Sequence, residues 1–276
     1  MKYILAVSGG VDSVVLLAMM AKKHEHQVIV AHFDHGIREN SAADARFVEA
    51  LAKFYRLPYE TKRVELGPGA SEAAAREARY AFLFELAKKY SAKIVTAHHQ
   101  DDVIETIVIN ILRGTGWRGL AVLNNTEVIR PLLNRRKQEL YSYALQSKLE
   151  WVEDETNATD AYLRNRIRSR VSTLSEASRL RLFDLFTSQK RLMADIDSET
   201  LKFNTGSRYF MTMIDVSTAQ ELLRATLKRQ GLSLTRPQRE RLLHAIKTAK
   251  PGTIFEAGQG VYVRFTNREF IVNSPL

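Results

Sequence analysis

Along the first 150 residues, short β-branched apolar runs alternate with longer stretches in which apolar residues recur every three or four positions. Tyr3–Val7, Gln27–Phe33, Tyr59–Val64 and Lys93–Ala97 read as strands, the last two with more polar edges. Ser13–Lys23, Ala42–Tyr55, Glu72–Tyr90 and Asp102–Arg113 carry the helical period between them. Strand and helix in regular succession predict an α/β fold, a parallel sheet with helices on both faces. Thr126–Leu132 and Leu149–Val152 read as further strands around a helix at Lys137–Lys148. In such sheets a ligand sits beyond the carboxyl ends of the strands, and the polar strings described below fall at those ends.

From about Ala161 the pattern changes. Arg164–Ser172, Ala177–Leu201, Ala219–Gln230 and Arg236–Thr248 read as helices. The final Gly252–Val272 reads as short strands turning at Gly258–Gly260 and Thr266–Asn267. The expected organisation is a catalytic domain over 1–160, a basic helical extension over 161–205 and a small C-terminal domain over 206–276. A linker is expected near Thr205–Ser207.

Charge sharpens this division. The net charge of +10 is not spread along the chain: residues 1–160 carry 21 Lys+Arg against 21 Asp+Glu, whereas 161–250 carry 18 against 8. A concentrated basic stretch behind a neutral domain points to a polyanionic partner. With no cysteine, disulfides, thiolate metal sites, iron–sulfur clusters and cysteine nucleophiles are excluded. No run of about 18 apolar residues predicts a membrane span. The apolar start Tyr3–Val7 runs into a glycine loop, as a first buried strand does and an export signal does not. A cytoplasmic enzyme is expected.

The glycine loop carries the first chemistry. Ser8-Gly9-Gly10-Val11-Asp12-Ser13 follows the first strand and opens the first helix. Two glycines allow unusual dihedral angles, successive amides form a concave nest, and the helix start adds partial positive charge. Ser8 and Ser13 can donate hydroxyl hydrogen bonds to phosphate. Asp12 would repel polyphosphate unless a cation lay between them, so Mg²⁺ is expected to bridge Asp12 and a nucleotide. The string lacks the Gly-Lys-Ser/Thr ending of the Walker loop and the GxGxxG of dinucleotide folds.

This string resembles the PP-loop, SGGxDS, of the ATP pyrophosphatases, which cleave ATP between its α and β phosphates. Further strings narrow the resemblance: Ala31-His32-Phe33-Asp34-His35-Gly36-Ile37-Arg38, then Glu72 to Tyr80 with Arg76, Arg79 and Tyr80 on one helical face. Thr96-Ala97-His98-His99-Gln100-Asp101-Asp102, running on to Glu105-Thr106, follows, then Arg113-Gly114-Thr115-Gly116, Gly119-Leu120 and Arg130-Pro131-Leu132-Leu133. Asp154-Glu155-Thr156-Asn157 and Arg164-Asn165-Arg166-Ile167-Arg168 complete the series. Together they resemble the tRNA(Ile)-lysidine synthetase family. That resemblance implies use of ATP and L-lysine to convert the wobble cytidine of a CAU-anticodon isoleucine tRNA to lysidine through an adenylated cytidine. Longer members of that family carry a further C-terminal domain, so this chain is expected to be a short version.

The residues can supply that chemistry. AMP transfer needs neutralisation of phosphate charge, for which Arg76, Arg79 and Arg113 are the candidates, Arg113 standing beside a loop able to close over substrate. A lysine nucleophile must lose a proton. His98 and Asp102 are expected to hold the ε-amine and metal, with Asp101 or Glu105 as alternatives. His99 reads equally as a packed loop residue, Asp101 as a helix cap and His35 as a loop cap. Arg164, Arg166, Arg168 and Arg170 are the expected RNA-binding residues, although alternate arginines cannot share one helical face. Tyr141, Tyr143, Tyr162 and Phe183 are core residues or stacking partners for a base. Two other readings compete: a tRNA thiolase, which generally needs the cysteines this chain lacks, and a non-catalytic RNA-binding module. Oligomeric state is not legible.

Overall fold

The computed structural model describes residues 1–22, 27–36, 41–67, 69–153, 163–203 and 205–273. Two compact units emerge, 1–190 and 191–276.

In the first unit five parallel strands are ordered β3-β2-β1-β4-β5. They are β1 (Lys2–Ala6), β2 (Gln27–Asp34), β3 (Tyr59–Arg63), β4 (Lys93–Val95) and β5 (Val128–Ile129). β1 is central because its consecutive apolar residues can be buried on both faces. Leu5 points into one core with Val30, Val95 and α1 (Val11–Ala21), together with Val48 of α2 (Ser41–Phe54) and Leu140 of α5 (Lys137–Gln146). Ile4 points into the opposite core with Ile29, Ile94, Val128 and the Phe82–Leu83–Leu86 face of α3 (Glu72–Tyr90). The period of two thus divides helices between the two faces. β3 forms an edge, and its Glu60 and Lys62 are paired with Lys89 and Glu85 of α3, charges that discourage further strand pairing.

α4 (Gln100–Leu112) is held by Val103 and Ile107 against Val122 and Phe186, and by Ile104 against Ile167 and Val171. Ile167 and Val171 belong to α6 (Leu163–Ser172), and Phe186 to α7 (Glu176–Lys202).

Two expected strands differ. The strand expected at Thr126–Leu132 is reduced to Val128–Ile129, because Asn125 turns the chain before it and Pro131 has no N–H for the ladder. Leu149–Val152 is not a strand: Leu149 and Trp151 pack on the α5 side of the core, and Val152 donates its N–H to Gly9 O at 3.0 Å.

In the second unit α8 (Arg208–Met213), α9 (Val216–Arg229) and α10 (Arg236–Thr248) pack with the antiparallel meander β6 (Ile254–Gly258), β7 (Val261–Phe265) and β8 (Phe270–Asn273). Leu223, Leu242, Ile246, Val263 and Phe265 form its centre. The turn at Gly258–Gln259–Gly260 takes three positive φ angles, which two glycines accommodate. α8, only six residues long, has too little periodicity to be read from sequence. Among the described residues, no helix is long and apolar enough to cross a membrane.

Candidate active site at the carboxyl edge of the sheet

The loop after β1 is closed by its own serines. Val7 N–H donates to Ala31 O at 2.9 Å and carries the chain to the edge of the sheet. Gly9 then takes φ +96°, a conformation that L side chains rarely adopt. Ser13, buried, donates from Oγ to Gly10 O at 2.8 Å and accepts from Ser8 N at 3.2 Å, while Ser8 Oγ lies 3.2 Å from Ser13 Oγ. Gly10 caps α1 without a side-chain hydrogen bond. The first-turn amides therefore form an anion-accepting helix start.

Beside this loop stands an acidic cluster built by α4. His99 is its N-cap residue, and Asp102 accepts the His99 backbone N–H at 2.9 Å. The buried His99 ring is ringed by carboxylates: Nε2 lies 3.5 Å from both Asp12 Oδ2 and Asp102 Oδ2, and Nδ1 lies 3.7 Å from Asp101 Oδ2. Burial pushes the His99 pKa down, but contact with Asp12 and the charges of Asp102, Asp12 and Asp101 outweigh it and hold it above the ordinary value. Burial likewise pushes Asp12 up, yet His99, Lys137 and Arg168 together bring its carboxyl below the usual range. Lys137 Nζ stands 3.9 Å from Asp12. Asp101 accepts from Lys137 N at 2.9 Å and from Arg179 at 2.5 Å.

One turn further along α4, Glu105 is almost fully buried at 2 % exposure. It accepts from Arg168 Nε at 2.9 Å and lies 3.4 Å from Arg164 Nε. The alternating arginines of α6 thus divide as helical geometry requires. Arg164 and Arg168, one turn apart, face Glu105; Arg166 and Arg170 are exposed.

His98 looks into a different environment. Its Nδ1 lies 2.7 Å from Thr96 Oγ1. Burial, assisted by the charges of Arg130, Arg76 and Arg79 and opposed by Asp102, depresses its pKa to about 4. Arg76 and Arg79 lie over the Tyr80 ring at 4.9 and 5.8 Å. Burial pulls the Arg130 pKa down, Tyr80 opposes this, and Arg76 adds to it. Two adjacent histidines therefore mark the border between an acidic and a basic environment.

The structure brings together Asp12, Asp102 and, on the basic side, His98 and Arg76. It does not bring Arg113 to them: this exposed residue caps the far end of α4, about 16 Å along the helix from Asp102. Tyr143 bonds Lys22 at 3.1 Å, Tyr141 packs edge-on against Trp151, and Phe183 packs on Phe186. His35 packs edge-on against Phe33 at 4.8 Å. Ile37, Arg38, Asp154 to Asn157 and Tyr162 lie outside the described residues. Sequence reasoning missed Lys137 and Arg179, which lie far along the chain from the carboxylates they meet. It also left His99 undecided, although the spacing to Asp102 matches a capping pair.

The expected cation can be tested on the donor set. Among the described residues no group of three His, Cys, Asp or Glu side chains is arranged to hold a metal. Asp12 Oδ1, however, is buried with no hydrogen-bond partner. Mg²⁺ is commonly held by one or two carboxylates plus substrate phosphates, so a single orphaned carboxylate oxygen beside an anion-accepting loop fits it.

Comparison with known proteins agrees with this geometry. A family model described as a PP-loop domain matches residues 1–174. The chain is 40 % identical over 183 residues to a protein of Thermotoga maritima named tRNA(Ile)-lysidine synthase, a match covering 62 % of this chain and 44 % of that one. Proteins of the same name from Enterococcus faecalis and Thermus thermophilus are 37 % and 41 % identical over 215 and 198 residues. Those matches cover 72 % and 69 % of this chain and 46 % and 38 % of theirs. The matched stretch thus spans less than half of each relative. Among solved structures, a U34-tRNA thiolase from Methanococcus maripaludis superposes with a TM-score of 0.58 at 16 % identity, covering 70 % of this chain and 72 % of that one. At that identity the likeness is one of fold.

Proposed function

The chain belongs to the PP-loop domain family, and from that premise we propose that it ligates L-lysine to C2 of the wobble cytidine of a CAU-anticodon isoleucine tRNA. In the first step cytosine O2 attacks the α-phosphorus of ATP, the bond to the β-phosphate oxygen breaks, and pyrophosphate leaves. In the second the lysine ε-amine attacks C2, gives up a proton, and the C2–O2 bond breaks to release AMP. The product carries a new carbon–nitrogen bond.

The observation that carries this reading is the meeting, at one sheet edge, of an anion-accepting loop with two pockets of opposite charge. An adenylating ligase that joins a cationic amine to a polyanion needs all three. The Ser8–Ser13 loop holds the nucleotide phosphates. Asp12 would hold Mg²⁺ together with phosphate oxygens, and the cation would screen their charge. Arg76 and Arg79 neutralise phosphate charge from the basic side. Asp102 attracts the ammonium of lysine, and His98, neutral at physiological pH, can hydrogen-bond the amine without repelling it. Arg113, at the far end of α4, takes no part in this cluster. Residues 1–160 are the catalytic domain in this scheme, 161–205 the basic extension and 206–276 a small substrate-binding domain, in a cytoplasmic enzyme. Exposed Arg166 and Arg170 meet the RNA, whereas Arg164 and Arg168 contribute by holding α6 to α4. The names of the curated relatives support this substrate over others available to the family. The fold likeness to a thiolase does not compete with it, since this chain has no cysteine.

Radiolabelled lysine offered with an unmodified isoleucine CAU transcript tests the proposal. Label should enter the RNA only with ATP and Mg²⁺, and not enter methionine tRNA. Pyrophosphate released with another RNA or small molecule, without lysine label, would discard the lysidine assignment and keep the adenylating site.

A further inference from the structure

On the basic side, two buried donors are left over among the described residues. Tyr80 Oη and Arg130 Nε are both shut off from solvent, and although the two side chains lie beside one another, neither atom makes a well-formed hydrogen bond among the described residues. Arg130 is nevertheless fixed in place, its NH1 donating to Val128 O at 2.9 Å and to Asn125 O at 3.1 Å. Two carbonyls at the end of β5 thus aim one side of the guanidinium, with the Tyr80 phenol beside it and Nε left over. Arg76 stacks on the Tyr80 ring from α3 and lies in the electrostatic field of Arg130. Among the described residues, neither Arg76 nor Arg130 has a carboxylate within ion-pair distance. Each buried unmade hydrogen bond costs on the order of 1–3 kcal/mol, and like charges brought together add to that. Native proteins keep such an arrangement where a ligand completes it.

We infer that Arg130 and Tyr80, with Arg76, form a phosphate-binding subsite at the end of β5, separate from the Ser8–Ser13 loop. A phosphate group matches the site chemically: its oxygens accept from a guanidinium fork and a phenol at once, and its charge offsets the two arginines. The inference rests on reading this unit as an ATP-using RNA enzyme, which offers two sources of phosphate, the nucleotide and the RNA backbone. Arg130 belongs to this subsite although it follows β5, where the sequence alone offered only an Arg-Pro-Leu-Leu string.

The full chain carrying Arg130→Met, and separately Arg76→Gln, should be titrated with Mg·ATP and with an unmodified CAU anticodon stem-loop RNA at two salt concentrations. The expected result is a loss of about tenfold in affinity for one of the two. Loss confined to ATP assigns the subsite to a nucleotide phosphate. Loss confined to RNA, with the salt slope reduced by about 0.7, assigns it to a backbone phosphate. Affinities for both ligands within about twofold of wild type in folded variants would overturn the inference. If Arg130→Met does not fold, Arg76→Gln and Tyr80→Phe carry the same test, and Arg130→Lys, which keeps the charge but loses the fork, should recover only part of the affinity. Because binding is read without turnover, failure of lysine incorporation would remove the proposed reaction and leave this result standing.

Discussion

His98 and His99 are neighbours in the chain, yet the two sides of the cleft that they face are chemical opposites. The His99 side is built from two helix starts: Asp12 from α1, then Asp101 and Asp102 from α4, all within 4 Å of one ring. The His98 side is built from α3 and the end of β5, and holds arginines over a tyrosine. The backbone accomplishes this by changing conformation at the start of α4, where His99 is extended and Gln100 is already helical. A sequence that places two identical side chains in such different fields separates a cation-accepting pocket from an anion-accepting one over a single peptide bond.

The largest effect on that arrangement should come from Asp12→Ala. Pyrophosphate release should fall by a factor of about a thousand or more, while tRNA binding measured by filter retention stays close to wild type. A parallel fall in RNA affinity would show that Asp12 shapes the whole cleft instead. Next in size is Glu105→Gln. Removing this buried charge leaves Arg164 and Arg168 facing one another across a neutral amide, and chemical denaturation should show a loss of about 3 kcal/mol or more. Stability unchanged within about 0.5 kcal/mol would mean that α6 is held by Ile167 and Val171 alone.

The third test uses acid. His98 has a folded-state pKa of about 4, below its ordinary 6.5. As pH falls, the unfolded chain therefore takes up the proton first. Stability is unaffected above pH 6.5, declines by roughly 3 kcal/mol between 6.5 and 4, and levels off below. His98→Gln should flatten that part of a pH–stability profile, and an unchanged slope would reassign the effect to another group. The smallest effect belongs to the exposed pair. Arg166→Gln with Arg170→Gln should weaken RNA binding several-fold and lower the salt slope by about one to two. Arg164→Gln should act mainly on stability, because the side chain is turned to Glu105 and Asp102 inside the unit.

Much of this was legible in the sequence. The consecutive apolar run of β1 and the helical spacing in α9 and α10 gave the elements, because local pattern and burial agree there. The glycine loop was legible because φ +96° at Gly9 requires its residue type. Legibility ended where distant segments meet. Lys137 reaches Asp12 from another helix, Arg179 reaches Asp101 from α7, and Val152 joins Gly9 rather than a neighbouring strand. No local pattern records such contacts. The spacing of four between Arg164 and Arg168 did record that two of four arginines share a face, but not that a buried glutamate lay opposite.

The serine closure of the phosphate loop has a thermodynamic consequence. Because the Ser13 hydroxyl already bonds Gly10 O, and Ser8 N already bonds Ser13 Oγ, the loop's shape does not depend on the nucleotide. Backbone entropy that a flexible glycine pair would lose on binding is lost at folding instead. The nucleotide then meets a rigid receptor, and its affinity reflects direct contacts with little subtracted for ordering the loop.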